Sequence, residues 1–304
     1  MKKIIATLMI FSLLLTGCGS SAKKTSEIKI LTPNGAPSLS LLSVYKDIDE
    51  NGEIKIVEGS DLISSELVKD DSSYDVIVAP INLGCKLLEN QKTDYKLAGV
   101  ITWGNLYLVE NPAVKTDTIA AFGEQAVPGL IFNLVKDSSD LMKDKEVTFY
   151  NAVSDVQPQI IQGKAHYALM AEPAATATIA KAKQNNVTLK IVADLQEIYQ
   201  AQAKTSELGY PQAAIFVKNK ADVQNFLNDI DTFTNTDALK EDNQIAALVE
   251  EIGAETFGVP SAEIVAKTWT NQNIHYKDAQ EVKDDIEAIL KQFGITYSDD
   301  MLAS

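Results

Sequence analysis

Arginine is absent from this 304-residue chain: all 27 basic side chains are lysine. Without a guanidinium there is no planar, bidentate clamp for carboxylate, sulfonate or phosphate. An anion could be held only by lysine, hydroxyls, amides or helix N-termini. Histidine is nearly absent too. His166 and His275 stand 109 positions apart with no local ligand spacing, so no metal site is expected. The chain contains no G-x-S-x-G, no P-loop and no Rossmann glycine fingerprint, and neither enzymatic activity nor a cofactor is expected. Positive charge is outnumbered, with 42 acidic residues against 27 basic ones and a formal net charge of −15. That balance argues against nucleic acid and anionic lipid surfaces as partners. No stretch reaches the roughly 18 consecutive apolar residues that a membrane-spanning helix needs.

What is present begins at the N-terminus. Lys2 and Lys3 precede twelve residues, Ile4 to Leu15, that are apolar except for Thr7 and Ser12. This is the charged start and apolar middle of a secretory leader. A twelve-residue helix would rise only about 18 Å against a hydrocarbon core of about 30 Å. The run ends in Leu15-Thr16-Gly17-Cys18, which resembles the lipobox of bacterial lipoproteins, and that resemblance implies cleavage before Cys18 and acylation of its sulfur. Residues 1–17 are then a signal peptide. Residues 18–26, small and polar after the cysteine, read as a lipidated flexible tether. The mature chain would keep 287 residues and a formal charge of −17, anchored on the outer face of the cell membrane. With Cys18 acylated, Cys85 is the one remaining thiol and no intrachain disulfide can form. Its place in "INLGCKLLEN" suits the core face of a helix, where a thiol is inert.

From Glu27 onward β-branched runs alternate with helical patterns. Strands are expected at 27–32, 53–57, 74–79, 94–101, 106–110, 146–150, 166–171, 188–193 and 213–218. Helices are expected near 38–46, 61–69, 82–90, 128–136, 154–162, 172–185 and 194–204. Such alternation predicts an α/β fold on largely parallel sheets. After Lys218 the pattern turns to helices alone, near 220–234, 237–252, 261–271 and 278–293; Val223, Phe226, Leu227 and Ile230 form the first apolar stripe. Two βα sets separated by "TWGNLYLVENP" (102–112) predict two lobes: 27–104, then 105–212, with 213–304 returning to the first. A ligand would sit between them, at the carboxyl ends of the strands.

Lipobox, tether and lobe order resemble the substrate-binding lipoproteins of ATP-binding-cassette (ABC) importers, with the type II periplasmic-binding-protein fold. The group that binds nitrate, sulfonates, taurine or pyrimidine precursors of thiamine is the most similar. Three segments carry the likeness: "TPNGAPSLS" (32–40), "AVPGLIFNLV" (126–135) and "QPQIIQGKAHYALMAEPAATATIAKA" (157–182). The resemblance implies a two-lobed monomer that captures a small molecule and delivers it to a transporter permease. The lack of arginine departs from what the anion-binding members would use.

The candidate binding residues follow from these segments. Asn34, Gly35 and Ser38 open the first helix, where Gly35 allows close backbone approach and Ser38 can cap. Gly129 marks a second helix start from the opposite lobe. Asn82 and Asn151 follow strands and offer amides; Trp103 offers a stacking face; Glu172, before Pro173, offers a carboxylate or simply complements a helix dipole. A stacking face, amides and one carboxylate suit a neutral or weakly basic heterocycle, such as a pyrimidine, better than a small anion.

Competing readings exist. Asp47–Glu58, "DIDENGEIKIVE", fits the calcium-loop pattern D-x-[DN]-x-[DN]-G-x5-E, with Asp47, Asp49, Asn51 and Glu58 at ligand positions. Yet "EIKIV" reads as a strand, which would draw Glu58 away, so calcium is not expected. A surface lipoprotein acting as foldase or adhesin is the other class. The thiamine-pyrimidine synthases share the expected fold, but their cysteine-rich signature has no place in a chain with Cys85 alone.

Overall fold

A computed structural model describes residues 22–48, 52–236 and 242–304. The leader, Cys18, and Asp49 and Asn51 of the calcium-loop pattern lie outside the described residues. In chain order the strands are β1 (Lys29–Pro33), β2 (Glu53–Val57), β3 (Val76–Pro80), β4 (Lys96–Thr102), β5 (Leu106–Glu110), β6 (Thr118–Phe122), β7 (Glu146–Tyr150), β8 (Tyr167–Ala171), β9 (Lys190–Asp194), β10 (Ala213–Val217) and β11 (Ile274–Asp278). The helices are α1 (Ala36–Leu39), α2 (Asp61–Leu67), α3 (Ile81–Glu89), α4 (Val127–Val135), α5 (Val153–Ile161), α6 (Ala174–Gln184), α7 (Leu195–Ala203), α8 (Gln224–Thr234), α9 (Asp242–Ile252), α10 (Ala262–Thr268) and α11 (Lys283–Gln292). None among the described residues is long and apolar enough to cross a membrane.

The strands form two sheets, ordered β11-β4-β10-β3-β1-β2 and β7-β6-β8-β5-β9. Pairs β1–β2, β1–β3, β6–β7 and β6–β8 are parallel, as βα alternation demands. By contrast β10 is antiparallel to both β3 and β4, and β5 is antiparallel to both β8 and β9. The cause is topological. A chain leaving one sheet at its strand carboxyl ends enters the other sheet from the facing side, and must run against the strands already there. The sheets are therefore mixed rather than largely parallel, with β11 also antiparallel to β4.

Three local differences from the sequence pattern have physical reasons. β6, "TIAAF", is short and alanine-rich, without the β-branched density that marks a strand. β11, "IHYKD", is an edge strand in a region otherwise helical, and its polar alternation hides it. The helix expected over 38–46 closes after Leu39, and turns follow. Ser38 Oγ donates to Gly35 O at 2.9 Å and Ser40 Oγ to Pro37 O at 2.6 Å, so both hydroxyls engage backbone that a continuing helix would claim.

Apolar side chains cover both faces of each sheet. One continuous cluster runs from Leu31, Ile77 and Leu97 through Trp103 to Leu106, Leu108 and Leu169, so the core passes through the crossover between the sheets. A second cluster joins α9 and α10, through Val249, Phe257 and Val265, to Leu39 and Leu42 beside the first helix. Cys85 is fully buried in α3, and burial holds its thiol far above the ordinary range.

Candidate ligand cleft between two sheets

A cavity of about 290 Å³ lies between strand ends of the first sheet and the start of α4 beside the second. Pro33 and Pro80, the last residues of β1 and β3, line it with Ala213, the first of β10. Asn82 and Leu83 from the first turn of α3 form another wall, and Ala126, Val127 and Pro128 at the start of α4 close it from the second sheet. Ser60, Gln125, Pro37 and Gln212 complete the lining. The described residues of this lining include no lysine, aspartate or glutamate. Helices α3 and α4 both start at the cavity. Ile81 N–H is taken by Gln212 O, Gly129 N–H by Gly123 O and Pro128 has none, which leaves the N–H groups of Asn82, Leu83 and Val127 as the first-turn donors. A larger hollow of about 790 Å³, lined by Glu89, Lys96 and Asp299 among others, sits at the amino end of β4, away from the strand ends where ligands bind in such folds.

Of the eight binding candidates, Asn82 lines this cavity. The prolines of "TPNGAPSLS" line it as well, but its Asn34, Gly35 and Ser38 do not. Gly35 has φ +81°, which requires glycine, and its N–H donates to Phe257 O at 2.8 Å. Asn34 packs on Gly258, and Ser38 is fully buried with its hydroxyl on Gly35. Gly129 is a packing glycine: a Cβ there would lie 2.4 Å from Gly123 O, and its N–H donates to that same carbonyl at 3.1 Å. Asn151 is exposed and lines a shallow hollow that adjoins the cavity through Gln125 and Ala126.

Two candidates are corrected by burial. Trp103 is 0% exposed and stacks on His275 with ring centres 5.3 Å apart, so its face is already occupied. The Glu172 carboxylate is 2% exposed and turns into its own helix, accepting from Thr176 N at 3.1 Å and Thr176 Oγ1 at 2.7 Å. Burial pushes its carboxyl group above the ordinary range, with the Thr176 bonds opposing. A raised carboxyl favours the folded state most below its unfolded value, and that advantage is lost as pH rises through the folded value. Glu172→Gln is therefore expected to flatten the pH dependence above the unfolded carboxyl value of about 4.3, measured as urea midpoints from about pH 4 to pH 8. An unchanged profile would refute this assignment.

Glu172 nevertheless reaches the cavity through its backbone. Its carbonyl accepts from Asn105 Nδ2 at 2.7 Å, and Asn105 Oδ1 in turn accepts from Gln212 Nε2 at 3.4 Å. Gln212 is pinned on both sides of its backbone: its N–H donates to Thr102 O at 2.9 Å, and its carbonyl accepts from Ile81 N at 3.0 Å. Gln212 Oε1 and Asn82 Oδ1 are shielded from solvent and have no protein partner. An acceptor left so costs about 1–3 kcal/mol until a donor arrives. Gln212 was missed in the sequence because "GYPQAAIFVKNK" reads as an approach to a strand; its one signal is a polar residue at the strand's entry point. Asp47 and Glu58 stand on either side of β2, whose residues 53–57 pair with β1 as an ordinary strand. Among the described residues no cluster of three His, Cys, Asp or Glu side chains could hold a metal.

No protein-family model and no curated protein matches the chain by sequence. Solved structures match it by shape. A crystal structure of an ABC transporter protein from Parabacteroides distasonis superimposes with a TM-score of 0.72 at 23% identity, over 91% of this chain and 94% of that one. The ligand-binding component of an ABC-type import system from Staphylococcus aureus, with zinc bound, gives 0.62 at 11% identity, over 91% and 96%. The periplasmic aliphatic sulphonate-binding protein SsuA from Escherichia coli gives 0.58 at 14% identity, over 88% of each chain. With two mixed sheets, paired crossovers and a cavity between them, the chain has a periplasmic-binding-protein-like fold, as these solved structures do.

Proposed function

We propose that the chain is the solute-capturing receptor of an ABC importer, holding one small polar or heteroaromatic molecule between its lobes and presenting it to the permease. The observation that carries this reading is the cavity of about 290 Å³, lined by strand ends of the first sheet and, from the second sheet's side, by the start of α4. Contacts divided between two lobes reach full strength when the lobes close, so ligand shifts an open–closed equilibrium. Micromolar capture needs about −8 kcal/mol. The uncharged lining supports a neutral heterocycle, such as a pyrimidine or thiamine precursor, over a sulfonate. In this reading the protein is a monomer held outside the cell by lipid on Cys18, after removal of residues 1–17, and it has no catalytic role.

A thermal-shift panel of vitamins, pyrimidines, sulfonates and amino acids tests the receptor role. A ligand at 100 times its Kd is expected to add about 2.7 kcal/mol of stability. Silence of every small molecule, together with binding of peptides or unfolded proteins, would favour the foldase or adhesin class instead. Incorporation of a labelled fatty acid into the wild-type chain and not into Cys18→Ser tests the anchor.

A further inference from the structure

We propose that Gln212 sets the specificity of the cleft, which takes an uncharged or cationic solute presenting an N–H donor and rejects anions. The proposal rests on the receptor reading and names the class of solute. Its foundation is the orientation of one amide. The Glu172 carbonyl can only accept, so the Asn105 atom 2.7 Å from it is the NH2 group. Asn105 therefore turns its oxygen to Gln212, and Gln212 must offer its own NH2 there, at 3.4 Å. What remains unpaired is Gln212 Oε1, a solvent-shielded acceptor without a protein partner, on a cavity-lining residue whose backbone is fixed by Thr102 and Ile81. The relay decides which way the amide points, because any flip would set oxygen against oxygen or NH2 against NH2.

The second unpartnered oxygen, Asn82 Oδ1, belongs to another residue of the same lining. An anion has no donor for either atom. With no lysine in the described lining and no arginine in the chain, closure around an anion would leave the acceptors unpaired and the charge uncompensated. A solute with an amino or amide N–H meets Gln212, while an adjacent carbonyl or ring nitrogen can take the N–H groups of Asn82, Leu83 or Val127.

Calorimetry on the purified chain with matched probes tests this: 4-aminopyrimidine against 4-methylpyrimidine, and nicotinamide against nicotinate. The amino and amide members are expected to bind roughly tenfold tighter or more. Gln212→Leu should abolish that preference. Gln212→Met serves in place of the leucine variant if that one does not fold. Equal or tighter binding of the methyl or anionic members, or a preference that survives the leucine or methionine change, overturns the proposal. Binding by anions alone removes the donor requirement and leaves the receptor role standing. Failure of all four probes also overturns the proposal, and the broader panel then decides the receptor role separately.

Discussion

Replacing Trp103 with alanine is expected to cost about 3–5 kcal/mol of folding stability, the range for emptying a buried aromatic site. Trp103 lies between β4 and β5, in one of the two segments that tie the sheets together. Its ring is fully buried and lies 8° from parallel to His275, and its Nε1 donates to His275 O at 3.1 Å. Its backbone is engaged as well. The N–H donates to Asn273 O at 3.0 Å, and the carbonyl accepts from Tyr210 N at 3.1 Å and Asn273 Nδ2 at 2.9 Å. One residue thus joins the first crossover to the returning segment and to β11. Alanine keeps the backbone bonds but opens a void in the cluster shared by both sheets. Trp103→Phe should retain most packing and lose the indole hydrogen bond, at about 1–2 kcal/mol. Urea midpoints at neutral pH measure both. A loss below about 1 kcal/mol for alanine would mean that the crossover is not a shared core.

Acidification should weaken the protein through the ring that stacks on that tryptophan. Burial holds His275 down to about 4, although Glu207 Oε2 lies 3.4 Å from Nε2 and favours the charged ring. Lys277, 3.6 Å from the other Glu207 oxygen, opposes imidazolium formation. An imidazole with a depressed value stays neutral in the fold while the unfolded chain takes up a proton. Stability is therefore intact above about pH 6.5 and is lost as pH falls toward 4, by on the order of 3 kcal/mol. Buried Glu172 and Asp194, with raised carboxyl values, pull the opposite way in part of this range. The difference between wild type and His275→Phe isolates the imidazole. Wild-type stability minus that of His275→Phe should fall by on the order of 3 kcal/mol between pH 7.5 and 4, and parallel curves from pH 7.5 to 4.5 would refute the assignment.

Period and punctuation made most elements readable in advance. "EIKIV", "LYLVE" and "EVTFY" became β2, β5 and β7 at the residues expected, since a dense β-branched or aromatic run between turn signals leaves a backbone few alternatives. The helix stripe of Phe226, Leu227 and Ile230 was equally plain and is buried in α8. The site was less legible. Trp103 and Glu172 carry side chains that serve a pocket or a core equally well, and burial chose the core for both.

Residue order alone determined that this protein is an acidic, arginine-free α/β chain whose strands and helices recur at local spacing, because those properties depend on neighbours a few positions away. Only the tertiary structure decided which side chains face the cavity. Gln212 meets Asn105 across 107 positions, and Asn105 meets Glu172 across 67. No local pattern encodes such a relay, since it exists only when two crossovers bring distant strand ends together.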